Sequence, residues 1–345
     1  MNQMIGRQSV CFEHPVSIIS AASVVGQKEG EGPLGDRFDM VVEDPMMGCN
    51  SWEEAESSFQ KKAATLALEK AKMTPDRLRL IFAGDLLAQS IASSFGIMEL
   101  RVPIYGLYGA CSTMGEALSL GSMAVAGGYG EHVMALTSSH FASAEKEFRF
   151  PLSYGNQRPL SASWTVTGSG ACILGKSGGK CHITGLTAGR IIDNGLKDSM
   201  NMGACMATAA SDTIYRNMVD FTRTVDDYDK IITGDLGTVG QIILKDLLGS
   251  HGIDLKDKHM DCGIEIFDSE TQDTHAGGSG CGCAATVLVS YILPKIASGE
   301  WKRVLFVPTG ALMSKVSFAE GSSVPGIAHG VVIESVIKDD FERRG

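Results

Sequence analysis

Apolar positions along this chain follow two rhythms. Short apolar runs read as buried strands at 16–25, 78–83, 132–137, 165–174, 230–233, 304–307 and 331–337. Between them apolar residues recur at helical spacing. The clearest helix is 51–73. Phe59, Ala63, Leu66, Ala67 and Lys70 share one face, Ser51 and Glu54 form a capping box, and Lys70 and Lys72 close the C-terminus. Its early acids, Glu53 to Glu56, read as dipole compensation on a solvated face. A second helix follows Cys111, with Ala117, Leu118, Leu120, Met123 and Ala124 on its period and Gly127-Gly128 as its stop. Others are expected at 203–219, 241–248 and 284–298. Residues 26–50 and 138–163 read as long surface loops.

Strands alternating with helices predict parallel, right-handed βαβ units. The order also repeats. Phe82-Ala83-Gly84-Asp85-Leu86 matches Ile232-Thr233-Gly234-Asp235-Leu236, 150 positions on, and the turn–helix–Gly–strand unit at 108–137 matches 275–307. Two such α/β copies packed together predict a five-layered αβαβα sandwich, with the site where they meet. The expected division is 1–178 and 179–338 for the halves and 339–345 for a frayed tail.

Composition narrows the class. With 345 residues, 44% of them hydrophobic, two core-sized halves are affordable. A net charge of −10 and a pI near 5.3 argue against a general nucleic-acid binder. The best apolar run, 284–293, is too short to span a membrane and stops at Pro294. The 16–25 run lacks the charged start of a signal peptide. Nine cysteines, an odd number, read as reduced thiols in a cytosolic compartment.

Candidate chemistry centres on the turn into the second helix. Cys111 lies at a helix N-terminus, where free N–H groups and the macrodipole favour a thiolate or a bound anion. Gly109, Ala110 and Ser112 are small and let a ligand come close. The alternative is a buried free cysteine. Asp235 repeats Asp85 and so also reads as a turn residue. His275 could merely cap a helix, and His140 is a lone loop histidine. A metal site from Cys262, His275, Cys281 and Cys283 matches no standard zinc spacing. The glycines at 277–282 do not follow a strand as a phosphate cradle would.

The duplicated order, the Cys111 turn, Met202-Gly203, the His275-xx-Gly278 loop and Pro308-Thr309-Gly310 together resemble the thiolase superfamily. Without a long loop domain the size is closer to ketoacyl-synthase III. More narrowly, the whole chain resembles the stage V sporulation protein AD family of endospore formers. The resemblance implies a thiolase-like duplicated fold, usually dimeric. Members are implicated in binding dipicolinic acid and moving it into the developing spore, with partner proteins at the spore inner membrane.

It also implies that Cys111 stands at the nucleophile position and His275 at the histidine of the GHxxG loop. The third position, His or Asn in relatives, falls near Gly234, which has no side chain, and its neighbour Asp235 is an acceptor. Losing one oxyanion donor costs about 10²–10³ in rate. The expectation is therefore a non-catalytic pocket that uses Cys111, Ser112, His275, Asp235, Ala110, Gly234 and His140, with no cofactor. The alternative is an active acyl-thioester condensing enzyme using Cys111 and His275. Dipicolinate is a planar dianion and calls for a cation: His275, Lys146, Arg149 or Arg158, or a calcium ion carried as its chelate and met by Asp235. Expected partners are dipicolinic acid, other stage V sporulation membrane proteins and a second copy of the chain. The expected location is cytoplasmic, held peripherally at the forespore or spore inner membrane.

Overall fold

The computed structural model describes residues 3–147 and 157–336. Arg149 and the expected tail lie outside them. Each half builds one sheet of five strands. In the first half these are β1 (Ser9–Gly26), β2 (Leu80–Gly84), β3 (Ile104–Leu107), β4 (His132–Ser139) and β5 (Gly168–Gly175). In the second they are β6 (Cys181–Thr187), β7 (Lys230–Thr233), β8 (His259–Asp261), β9 (Arg303–Val307) and β10 (Gly330–Ser335).

The spatial orders are β3-β2-β4-β5-β1 and β8-β7-β9-β10-β6, the same arrangement twice. The strand directions repeat as well. β2 runs parallel to both β3 and β4, and β7 to both β8 and β9, while the remaining neighbours among the five strands of each half are antiparallel. β1 also pairs with β6, so the two sheets join edge to edge. The repeat read from Gly84-Asp85 and Gly234-Asp235 is thus a repeat of topology.

Helices sort into three layers. α1 (Trp52–Ala71) covers the outer face of the first sheet, setting Phe59, Ala63 and Ala67 against Ile81, Met134 and Ile173. α4 (Met202–Phe221) and α5 (Gly237–Ser250) cover the outer face of the second. Between the sheets lie α3 (Thr113–Ala126) and α6 (Cys281–Val287), in a core that unites both halves through Met114, Leu118, Cys283, Ala284 and Leu288. A shorter helix, α2 (Ile91–Ile97), lies beside α1. The α1 start is as expected: the Ser51 hydroxyl accepts from the Glu54 N–H at 3.2 Å.

Some expectations change. The first strand begins at Ser9, well before residue 16. Strands β3 and β8 are three or four residues long and carry no legible alternation. The expected surface loop 26–50 contains a strand, Met40–Val42, paired to β1. Glu56 is not on a solvated face. It is fully buried under the sheet and accepts from Ser138 Oγ at 2.8 Å and Ser143 Oγ at 2.6 Å.

Candidate active site

The turn between β3 and α3 places Cys111. Ala110 takes a left-handed φ of +49°, which a residue with a Cβ adopts at some cost, and this aims the next side chain inward. The turn ties itself off. Ser112 Oγ donates to the Gly109 carbonyl and Thr113 Oγ1 to the Ala110 carbonyl, both at 2.6 Å. The Ser112 hydroxyl is therefore spent on the turn. From the second half, Gly310 presses its backbone on the same turn: a Cβ there would sit 2.3 Å from the Gly109 oxygen. The Cys111 thiol ends 6% exposed at the seam of the two halves.

Opposite it stands Asp235, on the turn between β7 and α5. Asp235 Oδ2 accepts from the Gly280 N–H at 2.9 Å and Oδ1 from the Thr309 hydroxyl at 2.7 Å. The Cys111 thiol lies close enough for the two groups to shift each other's pKa. Burial raises the Asp235 pKa to about 7, against the lowering effect of those hydrogen bonds. Burial, and then the Asp235 charge, push the Cys111 pKa well above that of a free thiol.

The turn role suggested by the repeat does not carry over to Asp235. Asp85 does hold its own turn, accepting from Leu87 N and Ser93 N at 2.8 Å. In the second half that work falls to Asp261, which accepts from Leu236 N at 2.9 Å and from Gly237 N and Gly263 N at 3.1 Å. Asp235 is released to reach across the seam. Gly234 is glycine for a packing reason, since a Cβ there would meet the Thr309 nitrogen at 2.9 Å.

The structure does not hydrogen-bond His275 to Cys111. Its Nδ1 is 2.9 Å from the Pro159 carbonyl and its Nε2 3.0 Å from Asp273 Oδ1. From this loop the Gly280 N–H and Cys281, the first residue of α6, both influence Cys111, and the Cys281 thiol itself donates to the Ser138 carbonyl at 2.8 Å. Sequence reasoning offered Cys281 only as a metal ligand. Its signal was its place one residue after Gly280, at a helix start. Among the described residues no three His, Cys, Asp or Glu side chains converge to hold a metal ion.

His140 is a helix cap. Its Nδ1 accepts from the Ala142 N–H at 3.2 Å, so its Nε2 donates to the Pro45 carbonyl at 2.9 Å, and burial lowers its pKa. Lys146 is paired with Glu53. The interactions that shift Cys111, Cys281 and Asp235 come from thiols, carboxyls, a hydroxyl and backbone N–H groups: Asp235, Asp85, Glu56, Asp261, Thr309 and Gly280. Glu56, raised to about 8 by burial and then by Asp85, joins this acid cluster through Ser138. An un-ionised thiol beside an acid is a slow nucleophile, and an ionised Asp235 cannot donate to an oxyanion.

Solved structures with this architecture include a tetronic acid condensing enzyme, with a TM-score of 0.60 and 18% identity over 93% of this chain and 100% of that one. A thiolase from Ascaris suum solved with coenzyme A gives a TM-score of 0.58 at 12% identity, covering 93% of this chain and 100% of its own. At such identities the likeness is one of fold, and the protein is of the thiolase-fold class. The family profile "Stage V sporulation protein AD (SpoVAD)" matches residues 6–334. Stage V sporulation protein AD of Bacillus subtilis (strain 168) is 43% identical over 334 residues, 96% of this chain and 98% of that protein. The chain belongs to the stage V sporulation protein AD family.

Proposed function

We propose that this sporulation protein binds dipicolinic acid without condensing thioesters. It would take part in uptake of that acid into developing spores alongside other stage V sporulation membrane proteins. The observation that carries the reading is the buried Asp235 at the Cys111 turn, held by the Gly280 N–H and the Thr309 hydroxyl: the nucleophile position is kept, but burial and the neighbouring acid hold it as a thiol. A protonated Asp235 can donate to a ligand carboxylate, and the pKa near 7 makes that form available around neutrality. We place its hold on the spore inner membrane at the periphery; no helix among the described residues is long and apolar enough to cross a membrane.

A homodimer fits the open edge of the first sheet. There β3 exposes Ile104 and Tyr105, and Phe95, Met98 and Tyr108 are exposed close by in the chain. An apolar edge strand is a template for pairing with a second copy.

Calorimetric titration with dipicolinate tests the reading, with binding expected for the wild type and weakened binding for Cys111→Ala. Incubation with acyl-CoA followed by intact mass measurement tests the chemistry. A stable acyl adduct on Cys111 would instead make the protein a condensing enzyme.

A further inference from the structure

The acid cluster at Cys111 leaves the cations of the chain elsewhere, and one of them is placed unusually. The Arg158 side chain is 1% exposed. Its Nη2 donates to the Asp273 carbonyl at 2.7 Å and to Asp273 Oδ2 at 3.0 Å, but its Nε and Nη1 have no acceptor among the described residues. A buried guanidinium with two idle nitrogens is costly, because each lost water is unreplaced.

A second cation is packed beside it. Arg158 Cζ lies 4.9 Å and Lys28 Nζ 4.3 Å from the centre of the Trp164 ring, and Phe141 stacks on that ring at 3.9 Å. Two like charges over one indole repel. Burial first, and then the Arg158 charge, lower the Lys28 pKa, opposed by Glu29, Asp273 and Glu31. Asp273 is the carboxylate in contact with Arg158; its side chain is 74% exposed and also meets His275 Nε2 at 3.0 Å, so it forms the solvent side of the cluster.

This cluster is separate from the Cys111 seam. Trp164 and Thr165 form a two-residue strand paired with Gly278–Ser279. Successive strand residues face opposite ways. Thr165 turns to Glu145 and to Gly280, beside Asp235, so Trp164 turns away from them.

We infer that Arg158, Lys28 and Trp164 form an anion site that takes the carboxylate of a small molecule between the guanidinium and the ammonium. The idle Nε and Nη1 supply the donors, the two cations supply the charge, and Trp164 fixes both. A carboxylate monoanion matches this better than a phosphate, which would bring more acceptors than there are free donors. The site stands on its own geometry. Only the use of dipicolinate as a probe rests on the function proposed above.

The test is a fluorescence titration of the full chain with dipicolinate, benzoate and inorganic phosphate, with Trp164→Phe identifying the Trp164 signal. Dipicolinate and benzoate should both change that signal. Arg158→Met should weaken them about tenfold or more. Lys28→Met, at a half-buried side chain, should weaken them several-fold, and Cys111→Ala should leave the benzoate response of Trp164 unchanged. Benzoate held at Trp164 with no dipicolinate binding anywhere would leave this site standing and sink the proposed function. Dipicolinate binding that is lost in Cys111→Ala but unaltered in the Lys28 and Arg158 variants would do the reverse. Phosphate binding more tightly than benzoate would overturn the carboxylate assignment.

Discussion

Replacing Asp235 with Asn should make Cys111 more reactive, although it deletes the acid a general base would need. In the wild type the carboxylate sits against the thiol, and burial holds the acid's pKa at about 7. At pH 8.5 the acid is mostly ionised and opposes a thiolate at contact range. With an effective dielectric near 20, two unit charges about 4 Å apart interact by about 4 kcal/mol, or about three pKa units. Asn removes that charge and offers the sulfur an N–H. Even if relaxation absorbs more than half of the effect, the thiolate fraction should rise about tenfold. The substitution has a structural cost, because Gly280 N–H and the Thr309 hydroxyl now share one acceptor oxygen. About 1–3 kcal/mol of stability should be lost. Iodoacetamide labelling with peptide mapping isolates Cys111 from the other eight cysteines. The variant-to-wild-type rate ratio should be smallest below pH 7, where the wild-type acid is protonated, and should grow to about ten or more by pH 8.5. A ratio at or below one at pH 8.5, in a variant with a native melting profile, would show that no carboxylate charge faces the thiol.

Three further outcomes follow from the same geometry. Glu56 has its pKa raised to about 8, so between about pH 4.5 and 8 the folded state keeps a proton that the unfolded state has lost, and stability falls as pH rises by up to about 1.4 kcal/mol per unit. Glu56→Gln should flatten that slope in urea titrations, and parallel curves for the two proteins would refute burial of a neutral acid. Gly234→Ala should destabilise by about 1–3 kcal/mol, read from denaturation midpoints, because its Cβ would lie 2.9 Å from the Thr309 nitrogen, which is backbone and cannot rotate away. Tyr105→Lys on the open edge of β3 should convert the proposed dimer to a monomer in sedimentation while leaving the melting profile in place, and an unchanged sedimentation coefficient would refute pairing through this edge.

Local pattern was enough to find the duplicated α/β order. Residues such as Phe59, Ala63 and Ala67 declare one buried face, and the Gly-Asp-Leu repeat survives because the same strand-to-helix turn is built twice. It was enough, too, to mark Cys111, since small residues before a helix start are a feature of the chain itself. What it could not supply was which side chain answers which across the seam. His275 and Cys281 are only six positions apart, yet one meets Pro159 and Asp273 and the other the Ser138 carbonyl, and which partner each finds depends on how distant elements stack. Asp85 and Asp235 share a motif, yet one caps its own turn while the other crosses to Gly280 and Thr309, because Asp261 has taken over the local hydrogen bonds. Glu56 looks like any first-turn acid until β4 brings Ser138 over it. Periodicity records which face of an element is buried. The partner of a buried polar group comes from elements distant in the chain, and packing alone sets that distance.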